Sequence, residues 1–251
     1  MLTLNQLHPR TLEDVTAEEV TAADVYAYPH DRRWLRANMV SSVDGAAVLE
    51  GRVGSLTGPA DQQLLILLRS LCDVLLVGAG TLRAEGYGPV RAQAALADAR
   101  REAGQLPHPR LAVLSRSLAL DLTSTAFTEA AERPIVITTE LADTDRVREV
   151  EQVADVLLAG GAAVDLGAAL ELLEKQGLPR MLSEGGPQAL AALYAADLVD
   201  ELCLAISPLV VGGDESRLTA GPPMPEPRAL HPGTVLERDG FLFVRYLREP
   251  A

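Results

Sequence analysis

The sequence predicts a three-layer α/β protein in which helices cover both faces of a mostly parallel central sheet with an antiparallel C-terminal hairpin. Three observations favour this class. Short runs rich in Val, Ile and Leu alternate with helical patterns from Trp34 onward. The 251 residues are 48% apolar, which is enough to bury a large core. Near the end, Asp239-Gly240 separates two strand-like runs, as in a hairpin with a tight turn.

Seven short runs have the length and the branched apolar composition of strands that are covered on both faces. They are residues 35–40, 73–77, 111–114, 134–138, 155–158, 180–183 and 201–206. Residues 234–238 and 241–246 flank the Asp239-Gly240 turn and add two antiparallel strands. The stretch 212–232 between these groups contains many Gly and Pro residues and is predicted to be a loop.

Helical patterns lie between the predicted strands. Gly58-Pro59-Ala60-Asp61 places a proline and an acid in a first turn, before apolar residues at helical spacing up to Leu71. Further helices are predicted over residues 17–26, 92–102, 143–153, 165–175 and 187–196. The chain contains no internal repeat and no linker. One domain, residues 31–251, is therefore expected after an N-terminal arm, residues 1–30.

Charge and composition exclude several classes of function. The 22 basic and 35 acidic residues give a formal net charge of −13, which would repel nucleic acid and anionic lipid. No apolar run approaches the ~18–20 residues of a membrane span, and the N-terminus lacks a secretory signal pattern. Cys72 and Cys203 lie in apolar runs, as buried free thiols do. We expect a cytoplasmic protein that binds neither nucleic acid nor membrane.

Two glycine-containing turns follow predicted strands, at the edge where ligands of open α/β sheets gather. They are Gly78-Ala79-Gly80-Thr81 and Glu184-Gly185-Gly186-Pro187, of which the second opens a helix. Glycines let main-chain NH groups approach a phosphate, and a helix N-terminus favours an anion. Each turn alone is also explained as a tight strand–helix connection. The pair favours a nucleotide ligand, which carries a diphosphate and further polar groups.

Other polar residues follow strands as well. Ser115-Arg116-Ser117 and Thr138-Thr139 suit a ribose 2′-phosphate, which would select NADPH over NADH, although ordinary surface turns explain them too. The four histidines form no ligand spacing with a cysteine or with each other, so no metal site is predicted. A nucleophile elbow and a lysine-ending phosphate loop are also missing. Redox chemistry through a diffusible cofactor remains.

Six segments recur in the order and spacing of one family. They are Ser42-Val43-Asp44-Gly45, Thr57-Gly58-Pro59, residues 69–77, residues 78–85, Glu184-Gly185-Gly186, and residues 198–202 with Ile206-Ser207-Pro208 and Gly212-Gly213. Together they resemble the reductase domain of bacterial riboflavin biosynthesis, the RibD C-terminal family, from about Trp34 to Tyr246. The resemblance implies a dihydrofolate-reductase-like fold, a homodimer, and NADPH as hydride donor. It further implies reduction of the ribosylamino group of a phosphorylated aminouracil to a ribitylamino group.

The resemblance and the polar residues that follow the predicted strands together suggest a set of site residues. NADPH would be held by Gly78, Ala79, Gly80, Thr81, Ser115, Arg116, Thr138, Gly185 and Gly186. The small heterocyclic substrate would contact Asn38, Ser42, Asp44, Thr57, Glu85 and Tyr87. Glu184, facing the substrate, and Asp61 are the candidate catalytic residues.

The sequence departs from the family pattern in two places. An N-terminal zinc deaminase domain, which many members carry, is missing, so a stand-alone reductase is expected. The loop after Thr81 reads Ala84-Glu85-Gly86-Tyr87-Gly88-Pro89, with one acid where the family usually has two. Tyr87 would suit stacking on a flat heterocycle such as a pterin. Dihydrofolate reductases carry a pterin-binding carboxylate on the first helix, where Asp61 lies, although an acid also simply favours a helix N-terminus. Reduction of a pterin such as dihydrofolate, or nucleotide binding without catalysis, are the alternatives.

Overall fold

A computed structural model describes residues 22–49, 53–224 and 226–249. The strands are β1 (Trp34–Ser42), β2 (Val74–Gly78), β3 (Arg110–Leu114), β4 (Ile135–Thr138), β5 (Asp155–Leu158), β6 (Arg180–Ser183), β7 (Glu201–Ser207), β8 (Leu230–Arg238) and β9 (Phe241–Arg248). The helices are α1 (Ala22–Val25), α2 (Pro59–Leu71), α3 (Ala79–Glu85), α4 (Ala97–Glu102), α5 (Thr125–Thr128), α6 (Thr144–Val150), α7 (Leu166–Lys175) and α8 (Pro187–Ala195). Two 3₁₀ turns cover Val53–Ser55 and Ala94–Leu96.

The strands form one sheet in the order β5-β4-β3-β2-β6-β1-β7-β9-β8. Neighbours from β5 to β7 are parallel, and β9 is antiparallel to both β7 and β8. Asp239 and Gly240 both have positive φ, which the tight turn between β8 and β9 requires. The expected fold class, a mostly parallel sheet with an antiparallel C-terminal hairpin, is confirmed.

Helices cover both faces of the sheet, which gives three layers. On one face, called here the α2 face, Leu68 of α2, Leu82 of α3 and Val150 of α6 join one apolar cluster. On the other, the α8 face, Leu170 of α7 and Leu190 of α8 join a second cluster. Right-handed crossovers determine which face each helix covers. Connections that run in opposite directions along the sheet lie on opposite faces. Cys72 and Cys203 are buried and free, as predicted.

Several boundaries differ from the sequence-based expectation. Helix α3 continues directly from the first glycine turn and ends at Gly86, which has positive φ, whereas only a turn was expected there. Residues 17–21 of the first predicted helix lie outside the described residues. The predicted loop 212–232 is too long, because β8 already begins at Leu230. Strand β8, at the edge of the sheet, accommodates Pro232 and Gly233 through a register shift between Pro232 and Thr234.

The N-terminal end of β1 contains a buried ionic cluster. The guanidinium of Arg36, fully buried, donates to Glu201 at 3.0 Å and lies over the rings of Tyr26 and Tyr28. Arg245 donates to the second oxygen of the Glu201 carboxylate at 2.7 Å. Cation–π contact and the paired charge together compensate for the burial of Arg36. Two tyrosines from the stretch predicted as an arm are thus part of the core.

Among the described helices, none is long and apolar enough to cross a bilayer.

Candidate active site

A notch at the carboxyl edge of the sheet forms the candidate site. Strand β6 ends at Ser183, which pairs with Ala37, whereas β1 continues to Ser42 alongside β7. At a strand rise of about 3.3 Å per residue, the end of β6 is set back by roughly 16 Å from the end of β1. Helix α2 leaves β1 on one face and α8 leaves β6 on the other. The notch is therefore a topological switch point, where open α/β sheets bind their ligands.

The two glycine turns meet beside this notch. The NH group of Gly78 donates to the carbonyl of Gly185 at 3.0 Å, and that of Gly186 donates to Thr81 Oγ1 at 2.6 Å. A side chain at Gly186 would lie 2.5 Å from the same hydroxyl oxygen. At Gly80, by contrast, no heavy atom of the described chain lies within 4 Å of an added Cβ. The turns are thus joined to each other, and the space beside Gly80 is open.

The NH groups available for an anion are not those of the joined glycines, because Gly78 and Gly186 use theirs inside the protein. Helix geometry instead leaves the first NH groups of each helix without intrahelical partners. In α8, whose first residue is Pro187, these are the NH groups of Gln188 and Ala189. In α3 they include those of Gly80 and Thr81. Both sets lie one turn or less from the contact between the two glycine turns.

The polar residues after β3 and β4 also come together. Ser115 is 4% exposed, and its Oγ has no hydrogen-bond partner in the described part of the chain. Thr138 is fully buried, and its hydroxyl donates to the carbonyl of Arg116 at 3.5 Å. The side chain of Arg116 is exposed. A buried hydroxyl without a partner beside an exposed guanidinium fits a phosphate that arrives from outside the protein.

At the end of β1, Ser42 and Asp44 are bonded to each other. The Ser42 hydroxyl donates to the Asp44 carboxylate at 2.5 Å, and the NH groups of Gly212 and Val211 donate to the same carboxylate at 2.7 and 3.1 Å. The Ser42 hydroxyl and these two NH groups lower the pKa of Asp44 to about 2. Asp44 therefore joins the loop after β1 to the loop after β7.

Asp61 lies in the first turn of α2, and its carboxyl group is buried. Burial raises its pKa, while a hydrogen bond from Thr57 partly opposes that shift. Asn38 lies on the same α2 face of the sheet, because side chains alternate along β1 and Val40 packs beside Ala60 of α2. Burial thus shifts the Asp61 carboxyl toward its neutral form, on the same face of the sheet as Asn38.

Glu184, unlike Asp61, accepts hydrogen bonds from a guanidinium group and a phenol. Arg69 donates to both of its carboxylate oxygens at 2.6 Å, and the Tyr87 hydroxyl donates to Oε2 at 2.7 Å. Glu85 is exposed at the end of α3. Sequence reasoning did not single out Arg69, although a lone charge inside the apolar run before β2 was the available signal. Eight residues of α2 separate Asp61 from Arg69, which corresponds to roughly 12 Å along the helix.

A cavity of about 630 Å³ opens on the α8 face of the notch. One wall is formed by Ser41 and Asp44 at the end of β1, and another by Leu190 and Tyr194 of α8. The loop that contains Gly212 and Gly213 covers it. Its volume is in the range of small-molecule sites. Within the described residues, no group of His, Cys, Asp and Glu side chains is arranged to hold a metal ion.

The fold and this site define a class: α/β proteins with two adjoining glycine turns at the switch point of a mainly parallel sheet. Residues 33–236 match the model of the RibD C-terminal domain. The chain belongs to that family, as its sequence motifs suggested.

Relatives and solved structures support the same assignment. The chain is 31% identical to the 2,5-diamino-6-ribosylamino-4(3H)-pyrimidinone 5′-phosphate reductase of Archaeoglobus fulgidus, covering 74% of this chain and 84% of the relative. It is 28% identical to the reductase of the same name from Methanothermobacter thermautotrophicus, covering 74% and 82%. A pyrimidine reductase-like protein from Corynebacterium diphtheriae superposes with a TM-score of 0.80 at 29% identity, covering 91% of this chain and 98% of that one. The chain is an oxidoreductase of this family.

Proposed function

We propose that this protein is an NADPH-dependent reductase of riboflavin biosynthesis. Its substrate would be a phosphorylated ribosylamino-pyrimidine, whose ribosylamino group is reduced to a ribitylamino group. The observation that carries the proposal is the meeting of the two glycine turns at the switch point, in a chain whose named relatives are pyrimidine phosphate reductases. A diphosphate needs several convergent NH donors, and the starts of α3 and α8 supply them.

The residues present fit a dinucleotide coenzyme. The diphosphate would be held by the NH groups of Gly80 and Thr81 on one side and of Gln188 and Ala189 on the other. Ser115, Arg116 and Thr138 would hold the ribose 2′-phosphate, and the partnerless Ser115 hydroxyl supports this assignment. When bound, the coenzyme supplies a hydride.

Asp61 is the proposed source of the proton. Reduction of the sugar carbon takes up one hydride and one proton, so a group that holds a proton near neutral pH is needed. Asp61 lies in the first turn of α2, and burial raises the pKa of its carboxyl group, which favours the protonated form. Thr57, Ser42, Asp44 and Asn38 border the same region and would contact the substrate. Glu85 would border it from the end of α3, whereas the Tyr87 hydroxyl donates to Glu184 instead.

We also propose that residues 31–251 form the reductase domain of a cytoplasmic homodimer. Four exposed apolar side chains lie near the ends of β1 and β7 and the start of β9: Val43, Leu209, Val210 and Leu242. Val210 is 79% exposed. Contiguous exposed apolar residues are typical of surfaces that bind another protein. A second copy of the chain is the partner that the family habit implies.

The decisive experiment follows NADPH oxidation by the purified protein while the electron acceptor is varied. We expect turnover with the phosphorylated ribosylamino-pyrimidine and none with dihydrofolate. Turnover of dihydrofolate instead would make the protein a pterin reductase, for which the buried Asp61 is the favouring observation. NADPH binding without oxidation by either compound would make it a non-catalytic nucleotide-binding homologue. A protein that binds no NADPH would refute the proposal.

A further inference from the structure

Three segments from distant parts of the chain meet at one carboxylate beside the notch. Glu184 follows β6, Arg69 lies in the last turns of α2, and Tyr87 lies in the loop after α3. Arg69 forms a two-pronged ion pair with Glu184, and its guanidinium lies 5.3 Å from the centre of the Tyr87 ring. The Tyr87 hydroxyl completes the group by donating to Glu184 Oε2.

These contacts enclose the Glu184 carboxylate on the side that faces Arg69 and Tyr87. Its side chain is only 6% exposed, and both oxygens accept hydrogen bonds from Arg69. Burial lowers the pKa of Arg69, but hydrogen bonds and charge attraction from Glu184 outweigh burial and raise it, so the guanidinium stays charged. Charge-assisted, two-pronged pairs of this kind fix geometry as well as contributing energy. Arg69, Glu184 and Tyr87 therefore hold one another in a fixed geometry.

The group of Arg69, Glu184 and Tyr87 is connected to the second glycine turn through the main chain of Glu184. The NH group of Glu184 donates to the carbonyl of Leu76 at 3.2 Å, and the next carbonyl, that of Gly185, accepts from Gly78 at 3.0 Å. The backbone of this turn is therefore held by β2, while its side chain is held by α2 and by the loop after α3. Gly186, which follows, caps the N-terminus of α8.

We infer that Arg69, Glu184 and Tyr87 form a positioning cluster that sets the Gly185–Gly186 turn, and with it the start of α8, for the coenzyme diphosphate. This inference rests on the proposed function. It assigns Glu184 to coenzyme positioning rather than to catalysis, and it gives Tyr87 a role through its hydroxyl rather than through stacking on the heterocycle. A shift of about 1 Å in a positioned group is enough to weaken binding strongly.

The test compares Glu184→Gln and Tyr87→Phe with two matched controls. Glu184→Gln keeps the shape but removes the charge that pairs with Arg69, and we expect the Kd for NADPH to rise about tenfold. Tyr87→Phe removes one hydroxyl, and we expect a rise of about three- to tenfold. At saturating NADPH, kcat should stay within about twofold of the wild type, because the proton source is untouched. Glu171→Gln, at an exposed site of α7, and Tyr246→Phe, in β9, should change neither quantity.

The cluster predicts coupling as well. Because Arg69 and Tyr87 both donate to the Glu184 carboxylate, the Glu184→Gln and Tyr87→Phe double variant should raise the Kd by less than the product of the two single effects. A merely structural role would lower the melting temperature without separating Kd from kcat.

Two failures can be told apart. A wild-type protein that binds no NADPH would refute the proposed function. If the wild type and both variants bind NADPH with the same Kd, only the positioning cluster is refuted. The same holds if Glu184→Gln abolishes kcat at an unchanged Kd, since Glu184 would then be catalytic.

Discussion

Gly80 and Gly186 allow the coenzyme site to be tested separately from the fold, because a methyl group at each position meets a different environment. At Gly186, a Cβ would lie 2.5 Å from Thr81 Oγ1, the atom that now accepts the Gly186 NH at 2.6 Å. Loss of that hydrogen bond costs about 1 kcal/mol, and overpacking costs a further ~1–3 kcal/mol. For a chain of this size, the Gly186→Ala variant should melt roughly 5–15 °C below the wild type.

At Gly80, an added methyl group meets open space, and the residue lies within helix α3. Ala is more favourable than Gly in a helix by about 0.5–1 kcal/mol, so Gly80→Ala should melt about 1–4 °C higher than the wild type. If the diphosphate approaches this NH group, the methyl group occupies its space. Loss of a charged hydrogen bond then raises the Kd for NADPH at least about tenfold.

The assay is thermal melting without ligand, followed by titration with NADPH. Gly167→Ala is the matched control, because Gly167 is the second residue of α7 and its Cβ would make only an ordinary contact with Asp165. The control should be stabilised like Gly80→Ala and bind NADPH like the wild type. A stabilised Gly80→Ala protein with wild-type affinity would refute the placement of the diphosphate at the start of α3.

Three further predictions concern the buried charges and the exposed patch. Burial raises the pKa of Glu201, but Arg36 and other partners outweigh burial and lower it to about 2, so the carboxylate contributes about 3 kcal/mol of stability above pH ~4.5, which is lost toward pH 2. Glu201→Gln should lower the free energy of unfolding by about 3–5 kcal/mol and weaken its decrease between pH ~4.5 and pH 2, as measured by urea unfolding. Asp61→Asn should abolish most turnover with little change in NADPH affinity, and the kcat of the wild type should fall as the pH rises through the pKa of Asp61. If the substitution leaves the pH–rate profile unchanged, Asp61 is not the proton source. Val210→Asp should convert a dimer to a monomer in light scattering, and a variant that stays dimeric would place the interface elsewhere.

The strands could be predicted closely because their signal is local. A buried parallel strand must be a short apolar run, and the runs at residues 155–158 and 180–183 coincide with β5 and β6. The hairpin was predictable from Asp239-Gly240, since few dipeptides accept two positive φ angles. Helix α3 was not predictable in this way, because Gly78 just before it and Gly80 within it are typical of a turn and hide the helical pattern.

The partners of the charged residues could not be predicted from the sequence. Arg69 and Glu184 are 115 positions apart, and nothing in either local sequence indicates that they pair. Arg36 sits in a strand where a charge argues against burial, yet Glu201 and the rings of Tyr26 and Tyr28 make full burial tolerable. Such pairings depend on strand order, and the strand order follows from the whole chain rather than from any segment.

Two acids that looked equivalent in the sequence are separated by their surroundings. Asp61 and Glu184 both border the notch, but one lies in an apolar first turn with a single hydroxyl partner, and the other is enclosed by a guanidinium and a phenol. An apolar setting favours the neutral form of the Asp61 carboxyl group, whereas the bidentate contact with Arg69 fixes the position of the Glu184 side chain. A single reduction needs both a proton and a firmly held coenzyme. In the proposed reaction, helix α2 would supply the proton from Asp61 and, roughly 12 Å further along, would help to position the coenzyme through Arg69 and Glu184.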